Sequence, residues 1–502
     1  MADFEVPELT GEIIIPKVSP GASRHIQQFK AKPELMEELK FSAEKGSDWK
    51  EKFLLAMEDI LKKYKSVRVF LDICVRCGSC ADKCHYFIAT GDPRNMPVYR
   101  QELMRSVYRK YFTPAGKLIG GLASAKELDD DLLDEWFTYF YQCSECRRCS
   151  VFCPYGIDTA EITMAAREIM ARIGVASKYN YEIVNKAMTL GNNLGMIPVA
   201  LESTWEFVEE EIEEKLEEVG ITGVGVKLPV DVEGADVLLV TPSADFFAEP
   251  HIYSLEGYAK VFHQAGISWT LSTHASEGGN FGMFIGNYDH MRTINKRIWD
   301  AARDLKVKKV VAGECGHAWR AMYSFSNTLN GPFDFLKEKS PQHICELTLD
   351  LIKKGALKLD KSANDEFTVT FHDSCNVARA TTIGGTPGDQ FTIPREIINA
   401  CCNKYVEMDP ETCGEKTFCC GGGGGVLTDE VIEIRVKGAM PRMQMYSKIK
   451  ESHGANFFAL ICAICKAQFT KVFPYYGYEM AEVGGVHQLI SNALVMGAKE
   501  EV

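Results

Sequence analysis

Cys74, Cys77, Cys80 and Cys84 stand as C-x2-C-x2-C-x3-C, and Cys143, Cys146, Cys149 and Cys153 repeat that spacing with Pro154 directly after. This is the ligand pattern of paired 4Fe–4S cubanes, in which three thiolates close a loop on one cluster and the fourth reaches across to the other. The crossed pattern assigns Cys74, Cys77, Cys80 and Cys153 to one cluster, and Cys143, Cys146, Cys149 and Cys84 to the second. Eight cysteines could instead bind zinc or form disulfides. Zinc sites seldom use an unbroken four-cysteine run with its last spacing lengthened, and the duplication argues against coincidence. The fold must therefore bring two distant loops together around metal, and the chemistry is single-electron transfer. His85 stands where Pro154 stands in the second run, so the first loop is expected to be less constrained and more open to solvent or a partner.

A second set lies further on. Cys419-Cys420 opens the run Gly421 to Gly425, with Cys375 before it and Cys462-x2-Cys465 after it. Glycines without β-carbons can take positive φ and pack over inorganic sulfide, donating N–H groups to it. These five cysteines read as a separate metal centre, with a structural zinc module as the bland alternative.

The chain of 502 residues is long enough for about three domains. Its net charge of −13 gives no basic stripe for phosphates and argues against nucleic acid. Met1 to Pro20 mixes Asp3, Glu5, Glu8 and Glu12 with Ile13-Ile14-Ile15, which is not the pattern of a secretion signal. No apolar run approaches the about 18 residues of a membrane span. Eighteen cysteines patterned as ligands imply a reducing compartment, so the expected location is cytoplasmic.

The chain divides into an N-terminal extension and helix (1–65), a helical two-cluster ferredoxin-type domain (66–170), a helical linker (171–230) and two α/β halves (231–345 and 360–502). Phe53, Leu54, Met57, Ile60 and Leu61 predict an amphipathic helix near Asp48 to Lys65. In the linker, Glu206 to Glu218 predicts a helix with Phe207, Val208, Ile212 and Leu216 on its apolar face, its acidic face either solvated or docking a basic partner. Each half runs from a β-rich segment (Val237 to Val240; Phe367 to Phe371) through a helix and strand, a glycine loop and another helix to an apolar strand (Val310 to Ala312; Phe457 to Ile461). That alternation predicts parallel sheets, and its recurrence an internal repeat. Ala244, Ser276, Glu277, Cys315 and Ala318 match the five cysteines of the second half. One cysteine cannot hold a cluster, so only the second half should be metallated. The first half is expected to wall the site with Glu277, Cys315, His317 and Arg320.

On these motifs, the chain resembles the catalytic subunits of heterodisulfide reductases, the HdrD-like family of duplicated cysteine-cysteine-glycine domains behind two ferredoxin-type clusters. Within that family, the long lead-in, the degenerate first half and the run Glu314-Cys315-Gly316-His317-Ala318-Trp319-Arg320 look like the DsrK subunits of the DsrMKJOP complexes of sulfate-reducing microbes. The resemblance implies two cubane 4Fe–4S clusters and one noncubane 4Fe–4S cluster on Cys375, Cys419, Cys420, Cys462 and Cys465. It further implies electrons from a haem-b, quinone-interacting DsrM-like membrane subunit and reduction of a disulfide or trisulfide on a small cysteine-tailed DsrC-like carrier protein. Other complex subunits would be partners, and the chain would sit on the inner face of the cytoplasmic membrane through one of them.

A thiolate leaving in a low-dielectric pocket needs a positive charge or a proton. His317, Arg320, Arg379 and Lys466 are the candidates to supply it, while His372 reads equally as a strand-end cap. Two alternatives stay open: an electron-relay subunit of a glycolate, lactate or glycerol-3-phosphate oxidoreductase, and a heterodisulfide reductase acting on small thiols. Cys345, Cys401, Cys402 and Cys413 read as buried thiols, with Cys413 near enough to Cys419 in sequence to be a stray ligand.

Overall fold

The computed structural model describes residues 32–278 and 280–497. The lead-in Met1 to Pro20 and the loop residue Gly279 therefore lie outside the described residues. The N-terminal part is helical, and its core is built where Trp49–Lys63, Lys65–Ile73, Pro97–Phe112, Asp130–Tyr141 and Thr159–Arg172 meet. The expected helix near Asp48 is the first of these, and it buries Phe53, Met57, Ile60 and Leu61. Asp129 and Asp158 begin the last two by accepting hydrogen bonds from Leu132 N and from Ala160 N and Glu161 N, satisfying donors that have no partner within the helix. Both cysteine runs sit in the loops between these helices.

The helix Pro198–Glu218 turns Val208, Ile212 and Leu216 inward. Phe207, expected on that apolar face, is exposed, because it falls one position off the i, i+4 spacing of the other three.

Two parallel sheets follow. The first contains β1 (Val237–Val240), β2 (Trp269–Thr270), β3 (Lys309–Ala312) and β4 (Gln342–His343) in the order β2-β1-β3-β4. The second contains β5 (Val369–His372), β6 (Phe457–Leu460) and β7 (Val483–Gly485) in the order β5-β6-β7. Every ladder in both sheets is parallel. The four strands whose bounds are read from sequence are present within a residue or two; of the further strand expected before each glycine loop, the first half has β2, while the second has only an isolated bridge between Val369 and Tyr405. β4 and β7 were not anticipated, being too short to carry a pattern of their own. One apolar core spans both sheets, joining Leu238 and Val310 of the first to Phe371 and Ala459 of the second. The opposite face of the second sheet, carrying Phe458 and Leu460, closes over all five cysteines of the late set.

Candidate functional site

The two early cysteine runs face two adjoining cavities. One, with about 370 Å³ free of protein atoms, has Cys74, Cys77, Cys80 and Cys153 in its wall together with Cys149. The other, about 360 Å³, is lined by Cys84, Cys143, Cys146 and Cys149. Cys77 is exposed and Cys84 buried, so the first run passes from the surface at Cys77 inward to Cys84, where it joins the second cavity. Arg100, itself buried, donates to Cys84 Sγ at 3.8 Å while holding the carbonyls of Asn95 and Tyr139 at 2.7 Å each. It supplies positive charge where thiolates collect.

His85 does not open the first loop to solvent. It is 1% exposed, with Nδ1 donating to the Gly438 carbonyl at 2.8 Å and Nε2 accepting from Ser144 Oγ at 2.9 Å. An imidazole can bridge two segments where a proline could not, and here it ties the first loop to the second and to the helix Ile432–His453. Ser144 Oγ in turn lies 3.4 Å from Cys419 Sγ.

Cys375, Cys419, Cys420, Cys462 and Cys465 are all buried in one place. Cys375 opens the helix Cys375–Ala380 after β5; Cys462 caps the helix Ala463–Val472 after β6, and Cys465 lies in its first turn. Two sulfurs act as acceptors for the others. Cys419 is held well below the ordinary thiol range by hydrogen bonds from Cys146, Cys375 and Cys420, and Cys462 by hydrogen bonds from Cys315 and Cys465. Two further cysteines therefore touch the five: Cys146 from the second loop and Cys315 from the first half. Sequence reasoning could not find the Cys146 contact, because no pattern relates residues so far apart in the chain.

The glycine run covers this cluster. Gly421, Gly424 and Gly425 have φ of +92°, +59° and +80°, a region that favours glycine. A β-carbon on Gly424 would lie 2.7 Å from the Ser144 carbonyl carbon, so the run packs directly on the second cysteine loop.

The other expected site residues divide. His317 meets the cluster: its Nε2 accepts from Asn376 Nδ2 at 3.0 Å and from Gly424 N at 3.4 Å, which leaves the Nδ1 proton facing Cys462 Sγ at 3.9 Å. Arg320 stands one step back, donating to Asn376 Oδ1 at 3.1 Å, so Asn376, overlooked in the sequence, joins the two. Arg379 binds the carbonyls of Cys146, Glu415 and Thr417 at 2.6, 2.8 and 2.8 Å, and its buried Nη2 has no protein partner. Lys466 turns away from the sulfurs into a buried polar network, donating to Ser254 Oγ at 2.8 Å and to Glu314 at 3.2 Å. Burial alone would raise Glu314, but Lys466 and His487 outweigh it and hold the carboxyl at about 2. Glu277 is buried and accepts from Ser243 N at 2.9 Å and from Asn193 N; burial pushes its carboxyl up to about 7. Cys413 donates to Glu407 at 3.3 Å, away from the five, and Cys345, Cys401 and Cys402 are buried thiols.

The donor set fits an iron–sulfur group. Five buried sulfurs converge, and the polar atoms at their edge without a protein partner include His372 Nδ1 and Nε2, Ser374 Oγ, Arg320 Nε and Arg379 Nη2. A buried polar group left unsatisfied costs about 1–3 kcal/mol; sulfide and thiolate acceptors held by the five cysteines would remove that cost.

Residues 70–157 match the 4Fe-4S dicluster domain family. An Hdr-like menaquinol oxidoreductase iron-sulfur subunit 2 of Archaeoglobus fulgidus is 42% identical, the match covering 90% of this chain and 84% of the relative. The chain belongs to this HdrD-like iron–sulfur subunit family. More distant members include a dihydromethanophenazine:CoB--CoM heterodisulfide reductase chain of Methanosarcina mazei, 25% identical over 86% of this chain and 95% of that protein. An EtfAB:quinone oxidoreductase of Syntrophomonas wolfei is 22% identical, over 71% of this chain and 48% of its own length. Family membership makes this HdrD-like chain an iron–sulfur oxidoreductase subunit. Among its described residues, no helix is long and apolar enough to cross a membrane.

Proposed function

We propose that this HdrD-like subunit carries electrons from a membrane haem-b partner, over two cubane 4Fe–4S clusters, to a noncubane 4Fe–4S centre that reduces a disulfide or trisulfide on a small carrier protein in dissimilatory sulfite reduction. The observation that carries the reading is the meeting of Cys146 with Cys419: the deep electron-transfer loop touches the five-cysteine set directly. A menaquinol donor is supported by what the Archaeoglobus fulgidus relative is called. The crossed ligand sets, one centre on Cys375, Cys419, Cys420, Cys462 and Cys465, the five-part domain division and the degenerate repeat all belong to the same proposal.

Cleaving one S–S bond consumes two electrons and two protons and yields two thiols from a disulfide, or a thiol and a persulfide from a trisulfide. When bound, the noncubane centre supplies one-electron uptake and Lewis-acid iron beside the reacting sulfur. The chain's own residues do the rest. His317 holds an N–H at Cys462, with its tautomer fixed by Asn376 and Asn376 anchored by Arg320. Arg379 brings positive charge to Cys146 and Cys375, and the burial of all five sulfurs excludes water. Lys466 serves the interface between the halves rather than the sulfurs.

The test is EPR of the oxidised protein before and after adding a thiol. A new paramagnetic signal in a chain holding about twelve irons, as three 4Fe–4S clusters require, supports the reading. About eight irons and no thiol-dependent signal would leave an electron relay with a structural zinc module, a reading favoured by the likeness to the EtfAB:quinone oxidoreductase.

A further inference from the structure

His372 is wholly buried, and neither of its ring nitrogens has a protein partner. Any imidazole carries at least one N–H, and a donor shut away from water without an acceptor is rare in a packed interior. His372 ends β5, where its sequence position allowed it to be a strand-end cap, yet its side chain caps nothing.

The register says where the ring goes. His372 pairs with Leu460, and Thr370 with Phe458. Neighbouring strands present paired residues on the same face, so His372 lies on the side of Phe458 and Leu460, the face that closes over the five cysteines. Its ring meets Phe469 edge-on, with centroids 5.2 Å apart, and Phe458 at 5.8 Å. These aromatic walls supply no acceptor. The charged groups facing the ring are the sulfurs of Cys419 and Cys462 and the guanidinium groups of Arg442 and Arg379, and the latter two are donors only. In either protonation state the imidazole has an N–H to place.

A second orphan marks the same edge. Ser374 Oγ, also buried, has no partner. A β-carbon built on Gly316 would lie 2.5 Å from Ser374 Oγ and 3.5 Å from Cys462 Sγ, so hydroxyl and sulfur flank one tight spot. The segment from His372 to Cys375 thus carries two unsatisfied donors beside sulfur.

We propose that His372 is a positioning residue whose ring N–H donates a hydrogen bond to sulfur of the five-cysteine centre, from the sheet side and opposite His317. A donor to sulfur favours the more electron-rich state, so removing it should move the centre to lower potential. The inference rests on a cluster being held by those five cysteines.

The experiment uses the full holoprotein with 15N-histidine, in wild type and in His317→Gln, which removes the imidazole whose Nδ1 faces Cys462 Sγ. Pulsed EPR on the thiol-induced signal should show a weak 15N coupling and a deuterium-exchangeable proton that survive in His317→Gln and vanish on adding His372→Phe. His372→Phe should also leave iron content unchanged and shift the reduced-to-oxidised ratio of that centre about tenfold at fixed potential, about 59 mV for one electron, with His372→Gln restoring most of it. If His372→Phe does not assemble the centre, loss of the 15N coupling on adding His372→Gln to His317→Gln decides, because glutamine carries no labelled imidazole while His85, beside Cys419, stays labelled in both. A thiol-induced signal with no 15N coupling in His317→Gln overturns this inference and leaves the proposed function standing. No thiol-induced signal in any chain overturns the proposed function and this inference with it.

Discussion

Cys420 and Cys315 separate a ligand from a neighbour. Cys420 shares hydrogen bonds with Cys419 and Cys465 inside the five, whereas Cys315 touches only Cys462 from the opposite half. Cys420→Ala is expected to abolish sulfur-substrate reduction while both early clusters still reduce with dithionite; unchanged turnover would remove the five-cysteine site from the mechanism. Cys315→Ala should lower turnover several-fold without loss of iron, because it removes one hydrogen bond to Cys462 and no member of the five-cysteine set. At this scale the cysteines were legible, since ligand spacing is a local property of the chain. Asn376, Ser144 and the true role of His85 were not. Each acts by contacting a residue far away in sequence: His85 reaches Gly438, and Ser144 reaches Cys419. Lys466 shows the converse failure: adjacent in sequence to Cys465, it points the other way because it follows a ligand on a helix and so faces roughly a quarter-turn round it.

Among the elements, the helix Thr159–Arg172 does the most to lock the second cysteine loop against the glycine run. Its Arg167, fully buried, donates to Glu145 at 3.0 Å and to the carbonyls of Phe140, Cys143, Phe284 and Gly424 at 3.2 Å or less. Phe140 lies in the last turn of the helix Asp130–Tyr141 and Cys143 opens the second loop directly after it, while Gly424 belongs to the glycine run and Phe284 to the first half. One guanidinium thus joins three parts of the chain, with its five donors in a fixed fork. Arg167→Ala leaves Glu145 buried and unpaired, a loss of about 3–5 kcal/mol, and should appear in urea melts as a lowered midpoint. Arg167→Lys should recover less than half of that, since an ammonium cannot span carbonyls on several sides. Equal stability of Lys and wild type would deny the fork its role. The helices and the four longer strands were legible because apolar periodicity marks them. β4 and β7 were not, and neither was the packing of the glycine run on Ser144, because glycine carries no side-chain pattern and its meaning comes from what approaches it.

Across the whole molecule the cysteines form a gradient of burial: Cys77 is exposed, the second loop is part-buried, and the five late cysteines are buried. Such a gradient suits electrons that arrive at a surface and are used where water is excluded. With no membrane-crossing helix among the described residues, removing the haem-b partner should release the chain from membranes in a low-salt wash; attachment of the isolated chain that resists both salt and detergent-free carbonate would contradict a partner-mediated hold. The gradient also predicts that two chemically identical substitutions behave differently. Cys77 touches Ser79 at the surface and no sulfur of the late set, so Cys77→Ser should cost iron at the first cluster and slow electron entry while the thiol-induced signal of the deep centre persists. Cys146 lies against Cys419, and its carbonyl is held by Arg379. Cys146→Ser alters a proposed ligand of the second cluster at the point where its loop lies against Cys419, so it should alter the deep centre's signal as well as lower total iron. Iron analysis with EPR on both variants checks this. If the two lose the same iron and leave the deep signal equally intact, the contact between the second loop and the five cysteines has no functional weight.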